Sequence, residues 1–405
     1  DTLLDTLPRT FGGPGRARCH HLVLGVIRHF GRIDAALGGL VAHPPRFSTR
    51  AVLFVAGFEL LEAMGDGSQP PADGQVAKIV HHAVEQTKAL ASPAEARLVN
   101  AVARKLATIL AQPVPAAGAT AGELAVHYSH PAWLIQNWQA QFGPEATRSL
   151  LAWNQTPAPV HARWRDASTA PPKFLKETEW PDFFEVESGH WGEVEPLLKA
   201  RQLYLQDPST RIPVELLELR ANESVADLCA APGGKSLLIA DRMKTGRLVA
   251  IDMPGQRIER LKENLSRAGA VEVALVQGDV LKDIGVVLQE HRLPGAYDAV
   301  LLDVPCSNTG VMRHRVDVKW RIQPGDFKKH PRQQLSMLHA AARLTAANGR
   351  LVYSTCSIDS EENEHVVRSF LASKAGGPFS LEATVLSFPW TNRHDGGAAF
   401  RLRRS

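Results

Sequence analysis

Apolar positions recur with a helical period through the first part of the chain. Leu22, Val23, Val26, Ile27 and Ile33 share one face over 20–40, and Val76, Ile79, Val80, Val84 and Leu90 share another over 76–90. With the apolar stretches 51–64 and 94–110, the spacing predicts four helices. Pro93 suits a helix start, and Gly65 or Gly67 the residue past a helix end. Such helices bury one another's apolar faces, which predicts an all-α bundle. The run PVPAAGAT at 113–120 reads as a linker. Helical spacing returns over 132–153, then a Pro-rich stretch covers 157–172 and an irregular aromatic one 180–195. These predict a small α+β connecting domain.

From residue 224 the pattern changes. Short apolar runs at 224–229, 247–252, 271–276, 297–303 and 350–355 alternate with helical stretches, one ending near 243 and others over 256–268, 333–346 and 361–373. Strands apolar along their whole length, alternating with helices, predict a parallel sheet covered on both faces. The last apolar runs, 379–386 and 398–402, suit an antiparallel edge hairpin. The expected fold is multidomain, with an all-α bundle over 1–115, the connecting domain over 121–205 and a Rossmann-like α/β domain over 206–405.

Composition narrows the class. The 405 residues are 44% hydrophobic and 22% charged, which excludes a disordered or collagen-like chain. No apolar run reaches the roughly 18 residues of a membrane helix. The net charge of +4 is compatible with nucleic acid but too small to argue for it alone. The chain opens at Asp1 rather than Met, without a signal-like stretch, so a trimmed start is expected. The four cysteines form no Cys-x-x-Cys pair, which removes zinc-ribbon and thioredoxin readings and favours a reducing, cytoplasmic setting. The pairs His20-His21 and His81-His82 read as surface residues, and no metal is expected.

Two sets of residues carry chemistry. In the first, Asp227 leads through Cys229, Ala230, Ala231, Pro232, Gly233 and Gly234 to Lys235, a strand passing through a Gly-Gly turn into a helix. Such a turn lets a ligand approach the backbone closely. Asp252 closes the next strand, where a carboxylate can accept from ribose hydroxyls, and Asp279 closes the third, where one can meet an adenine amino group. The dinucleotide pattern G-x-G-x-x-G and the Walker pattern are both absent. In the second set, Asp303 and Cys306 follow the fourth strand and Cys356 follows the fifth. Parallel neighbours would bring both thiols to the C-terminal edge of the sheet, where α/β ligands bind. Cys229 and Cys19 have no such neighbours and read as structural.

The segments DLCAAPGGKS, LLDVPCSNTGVMRH, DVKW and YSTCSIDSEENE resemble the RNA 5-methylcytosine methyltransferases. Phe30-Gly31-Arg32-Ile33-Asp34, Ser129-His130-Pro131-Ala132-Trp133 and Tyr204-Leu205-Gln206-Asp207-Pro208 extend the likeness to the bacterial branch that acts on 16S rRNA and carries a NusB-like helical domain. That resemblance implies S-adenosylmethionine as cofactor, held by 229–235, Asp252, Asp279 and Asp303. It implies Cys356 as nucleophile and Cys306 as the thiol that assists product release, with Asp303 and Lys235 beside them. The chain departs from the family's usual residues at Arg315-Val316, at Gly397 and at Ala162-Arg163-Trp164.

Arg313, Arg315, Lys319, Arg321, Lys328 and Lys329 crowd one segment, with Trp320 and Phe327 interleaved. Cations tracking phosphates with aromatics for stacking predict an RNA surface there. The expected protein is thus a monomeric, cytoplasmic enzyme acting on small-subunit rRNA. The alternatives are a tRNA methyltransferase and a catalytically silent NusB-like RNA-binding factor.

Overall fold

The computed structural model describes residues 13–65, 72–269, 271–282 and 284–405; Gly67 and residues 1–12 lie outside the described residues. The helical spacing of the first part is realised as α1 (Gly13–Gly38), α2 (Phe47–Ala63), α3 (Asp73–Leu90) and α4 (Pro93–Leu110). Ile33, Leu53, Leu60, Val99 and Leu106 form the centre of their shared core. Small residues let α1 and α2 approach closely: a Cβ on Gly57 would meet Ile33 Cγ2 at 2.7 Å. Ser92 caps α4 by accepting from Glu95 N, with Pro93 in the first turn. Two further helices follow, α5 (Ala121–Tyr128) and α6 (Ala132–Gln155), the latter broken at Gly143–Pro144. α5 starts with a capping box between Thr120 and Glu123.

A four-stranded antiparallel sheet comes next, in the order β2-β3-β1-β4. Its strands are β1 (His161–Trp164), β2 (Leu175–Glu177), β3 (Phe183–Val186) and β4 (Leu203–Leu205), with α7 (Trp191–Lys199) and then the short α8 (Arg211–Leu216) in the chain. The large sheet is built from β5 (Glu223–Leu228), β6 (Gly246–Asp252), β7 (Glu272–Gln277), β8 (Tyr297–Asp303), β9 (Thr345–Thr355), β10 (Phe379–Ser387) and β11 (Gly397–Arg404). Its order is β10-β11-β9-β8-β5-β6-β7. Strands β9 to β7 are parallel, while β10 and β11 form the antiparallel edge. The helices between them are α9 (Gly234–Arg242), α10 (Arg257–Leu265), α11 (Ile284–Glu290), α12 (Val318–Arg321), α13 (Asp326–Leu344), α14 (Glu364–Leu371) and, before β11, α15 (Pro389–Asn392). β8 shows why its sequence is apolar throughout. Val300 and Leu302 join a core with Leu338 and Phe370 on one face, and Ala299 and Leu301 join Leu238 and Met243 on the other.

The chain divides into two compact units, Asp1–Thr156 with Lys319–Arg321, and Pro157–Val318 with Ile322–Ser405. These units differ from the expected three-part division. The helices of 121–156 pack with the helical bundle, and the strands of 157–205 belong with the large sheet. Composition marked the linker at 113–120, but the helices that follow it return to the same compact unit. α13 also starts earlier than its apolar spacing suggests, continuing through Pro331, which forgoes only one backbone hydrogen bond.

Candidate active site

The strand order reverses between β5 and β8, since β6 and β7 extend one way and β9 the other. At such a switch point the C-terminal strand ends leave a crevice. The register between β8 and β9 sets Asp303 opposite Ser354. It therefore brings the turns just beyond them, with Cys306 and Cys356, side by side. A cavity of about 100 Å³ opens there, lined by Thr210, Lys235, Asp303, Cys356, Asp395 and Gly397 among others.

The two sulfurs lie 3.0 Å apart. Cys356 is half-buried and faces the cavity, while Cys306 is buried behind it. The hydrogen bond to Cys356, then burial, pushes the Cys306 thiol well above its ordinary pKa, so it stays protonated. Lys235 Nζ donates to Asp303 Oδ2 at 2.7 Å, and Ser354 Oγ donates to Asp303 Oδ1 at 2.7 Å. Burial opposes the charge on Lys235, but Asp303, with Cys356 nearby, outweighs it and raises the ammonium pKa. A fixed cation thus stands beside the half-buried Cys356 thiol.

Sequence reading missed the support beneath these turns. Buried Glu362 accepts from Ser307 N at 3.0 Å, Ser357 Oγ at 2.9 Å and Gln334 Nε2 at 2.8 Å, joining both cysteine turns to α13. Thr309 Oγ1 donates to Asp359, and Asn308 contacts both cysteines. The only signal for these residues was their place inside the two motifs. Opposite them, Asp207, His314 and Asp395 hold ligand-capable atoms within 4.8 Å of one another. His314 and Asp395 form an ion pair, with His314 Nδ1 2.9 Å from Asp395 Oδ1, while Asp207 Oδ1 accepts from Ser209 N at 2.9 Å. Asp395 raises the His314 pKa against the opposing effect of burial.

The cofactor candidates gather along the same edge. Asp252 is buried, with Oδ2 accepting from Ala231 N and Oδ1 from Met253 N, both at 2.7 Å, so it pins the 229–234 turn. Gly233 takes φ 105° to start α9. Asp279 Oδ1 accepts from Leu281 N at 3.0 Å. Burial, then the nearby charges of Asp252 and Asp303, raises the Cys229 thiol pKa, which suits a structural thiol. Asp227 Oδ2 accepts from Ser236, while its buried Oδ1 has no hydrogen-bond partner. The crevice therefore offers carboxylate acceptors for hydroxyl and ammonium groups and lacks the glycine-rich array that cradles phosphates. This donor set fits a nucleoside carrying a positive charge, as S-adenosylmethionine does.

The basic segment is only partly available as a surface. Arg315, Arg321, Lys328 and Lys329 are exposed. Arg313 is half-buried and donates to Pro157 O at 2.7 Å. Lys319 and Trp320 depart from the expectation. Lys319 is 2% exposed and donates to Arg28 O at 2.7 Å, and Trp320 Nε1 donates to Ile27 O at 2.9 Å. Their polar atoms cap helical carbonyls of the first unit instead of reaching phosphates. Counting charges along a segment cannot reveal that one of them is buried.

Comparison with known proteins shows the family. Residues 214–387 match the family described as 16S rRNA methyltransferase RsmB/F. "Ribosomal RNA small subunit methyltransferase B" of Sodalis glossinidius (strain morsitans) is 30% identical over 382 residues, spanning 91% of this chain and 84% of that protein. "Probable ribosomal RNA small subunit methyltransferase B" of Bacillus subtilis (strain 168) is 31% identical over 307 residues, spanning 72% and 67%. The crystal structure of PH0851 shares the fold with a TM-score of 0.76 over 98% of this chain and 92% of that one, at 22% identity. The chain belongs to the RsmB/F family of 16S rRNA methyltransferases.

Proposed function

We propose that the protein methylates carbon 5 of a cytosine in 16S rRNA through a covalent adduct on Cys356. The observation that carries this reading is the thiol pair at 3.0 Å, with Cys356 facing the cavity beside the Lys235–Asp303 ion pair. S-adenosylmethionine supplies an electrophilic methyl on its sulfonium. Carbon 5 of cytosine is too weak a nucleophile to take that methyl unaided. Cys356 Sγ adds to carbon 6, and the electron pair displaced from the ring double bond makes carbon 5 nucleophilic. Asp303 and Lys235 are the polar groups presented to ring nitrogen 3. After transfer, a base removes the carbon 5 proton; the electron pair left behind restores the ring double bond and expels Cys356 as thiolate. Cys306 is positioned to take part in that last step.

Thiolate is the reactive form, and an unperturbed thiol supplies only a few per cent of it at pH 7. The Lys235 cation favours it electrostatically. A paired target base must be unstacked, which costs a few kcal/mol. The helical unit is read as NusB-like and RNA-binding. Arg313, Arg315, Arg321, Lys328 and Lys329 are the proposed phosphate contacts, without Lys319 and Trp320. A cytoplasmic, monomeric enzyme fits this reading.

The test is incorporation of labelled methyl from S-adenosylmethionine into small-subunit rRNA and tRNA transcripts, with Cys356→Ala and Cys306→Ala beside the wild type. Label in rRNA cytosine, lost in Cys356→Ala, is expected. Retention of full transfer by Cys356→Ala would remove the nucleophile assignment. Label in tRNA alone would overturn the target.

A further inference from the structure

Cys356 has one thiol proton and two neighbours able to accept it, Cys306 Sγ at 3.0 Å and Asn308 Oδ1 at 3.2 Å. The Asn308 amide is held in one orientation because its Nδ2 donates to the Cys306 carbonyl at 2.8 Å. Oδ1 is therefore the atom that faces Cys356, and an amide oxygen only accepts. Asn308 itself stands at φ 63°, a left-handed conformation that Asn and Gly tolerate, where it leads into the turn 309–311. The Cys356 proton thus points to Oδ1, and the close approach of the two sulfurs is met by the proton of Cys306.

We propose that Asn308 is a positioning residue that fixes the direction of the thiol–thiol hydrogen bond, with Cys306 as donor and the attacking sulfur of Cys356 as acceptor. Its weight in turnover rests on the covalent reading above; the thiol geometry does not. The Oδ1 contact holds the Cys356 proton in one direction, so the amide keeps the nucleophile closed until a base and substrate arrive. Once the proton leaves, the Cys306 S–H already points at the thiolate. The charged and titratable groups facing this pair are Lys235 and Asp303 beside the cavity, Asp395 across it, and Tyr353, Asp359 and Glu362 behind the cysteine turns.

The experiment is the pH dependence of Cys356 alkylation by iodoacetamide in the full chain, read on the Cys356 peptide by mass spectrometry. Asn308→Gly keeps the left-handed backbone and removes the amide; Asn308→Asp keeps the shape and adds a negative charge. The alkylation midpoint is expected to fall by about half a pH unit or more in Asn308→Gly and to rise in Asn308→Asp. Cys306→Ala is expected to raise it, and Cys306→Ser, which retains a donor, to restore it towards the wild type. Midpoints unchanged in both Asn308 variants, or moved in the same direction, would overturn the proposal, because disturbed packing does not follow the sign of a charge. A midpoint indifferent to Cys306→Ala would remove Cys306 as donor. The assay needs neither RNA nor cofactor. A wrong substrate reading would therefore appear as missing methylcytosine, with these midpoints unaffected.

Discussion

Lys235 contributes a positive charge held in a fixed position. Its ammonium is bound to Asp303 and stands next to Cys356, so the site holds a cation in place before any substrate arrives. Lys235→Met keeps most of the side-chain volume and removes the charge. It is expected to lower methyl transfer by about 10²-fold, the scale for losing one preorganised charge contact. It should also slow Cys356 alkylation near neutral pH, since a thiolate without its cation is less favoured. Turnover that falls while alkylation stays unchanged would confine Lys235 to the cofactor. Residues of this kind were legible from sequence because their types announce chemistry: two cysteines, a lysine and three acids at strand ends. Asn308 and Glu362 were not, because Asn and Glu are ordinary surface residues. Their meaning lies in contacts to residues about 50 positions away, such as Glu362 with Ser307. Lys319 misled for the converse reason, a charge being taken as exposed when it is buried.

Among the elements, the long apolar strands and the amphipathic helices could be read directly, since period and length are local properties. β8 runs from Tyr297 to Asp303, as its apolar run indicates. The short strands β1 to β4 carry three or four residues each, too few to display a period. The loops at the sheet edge were equally silent. Gly310 N donates to Cys356 O at 3.0 Å, and Gly310 O accepts from Gly396 N at 2.8 Å, so one glycine joins three loops around the cavity. A Cβ there would lie 2.4 Å from Gly396 O, a backbone atom with little room to move. Gly310→Ala is expected to cost about 1–3 kcal/mol in stability. It should also depress turnover, because the same displacement separates the cysteine turns. Ser92→Ala, which removes the N-cap of α4 in the other unit, is expected to cost about 1 kcal/mol and leave turnover per folded molecule unchanged. Thermal melts beside methyl-transfer rates separate the two. Equal effects of both variants on turnover would show that the rate follows stability alone.

At the scale of the whole molecule, buried acids make stability depend on pH. Asp227 lies on the strand leading into the 229–234 turn, and burial, with a smaller push from Asp303 and against the hydrogen bond from Ser236, raises its carboxyl from 3.8 to about 7. The folded chain therefore holds this proton more tightly than the unfolded chain does. Below about pH 4 both states are protonated and the group has no effect on stability. As pH rises through the unfolded value the unfolded state ionises first, so stability is lost progressively until the folded group also ionises near pH 7. Above that the penalty is constant, on the order of 4 kcal/mol. Asp227→Asn removes the titration and can keep the Ser236 hydrogen bond through its amide oxygen. Its other amide atom takes the place of an oxygen that has no partner. The substitution is expected to raise the melting temperature at about pH 8, with the gain shrinking steadily towards about pH 4, where the two proteins should melt together. A gain independent of pH would trace the effect to packing and would remove Asp227 as a buried acid. The expected pattern would mean that the strand leading into the 229–234 turn retains a destabilising carboxyl.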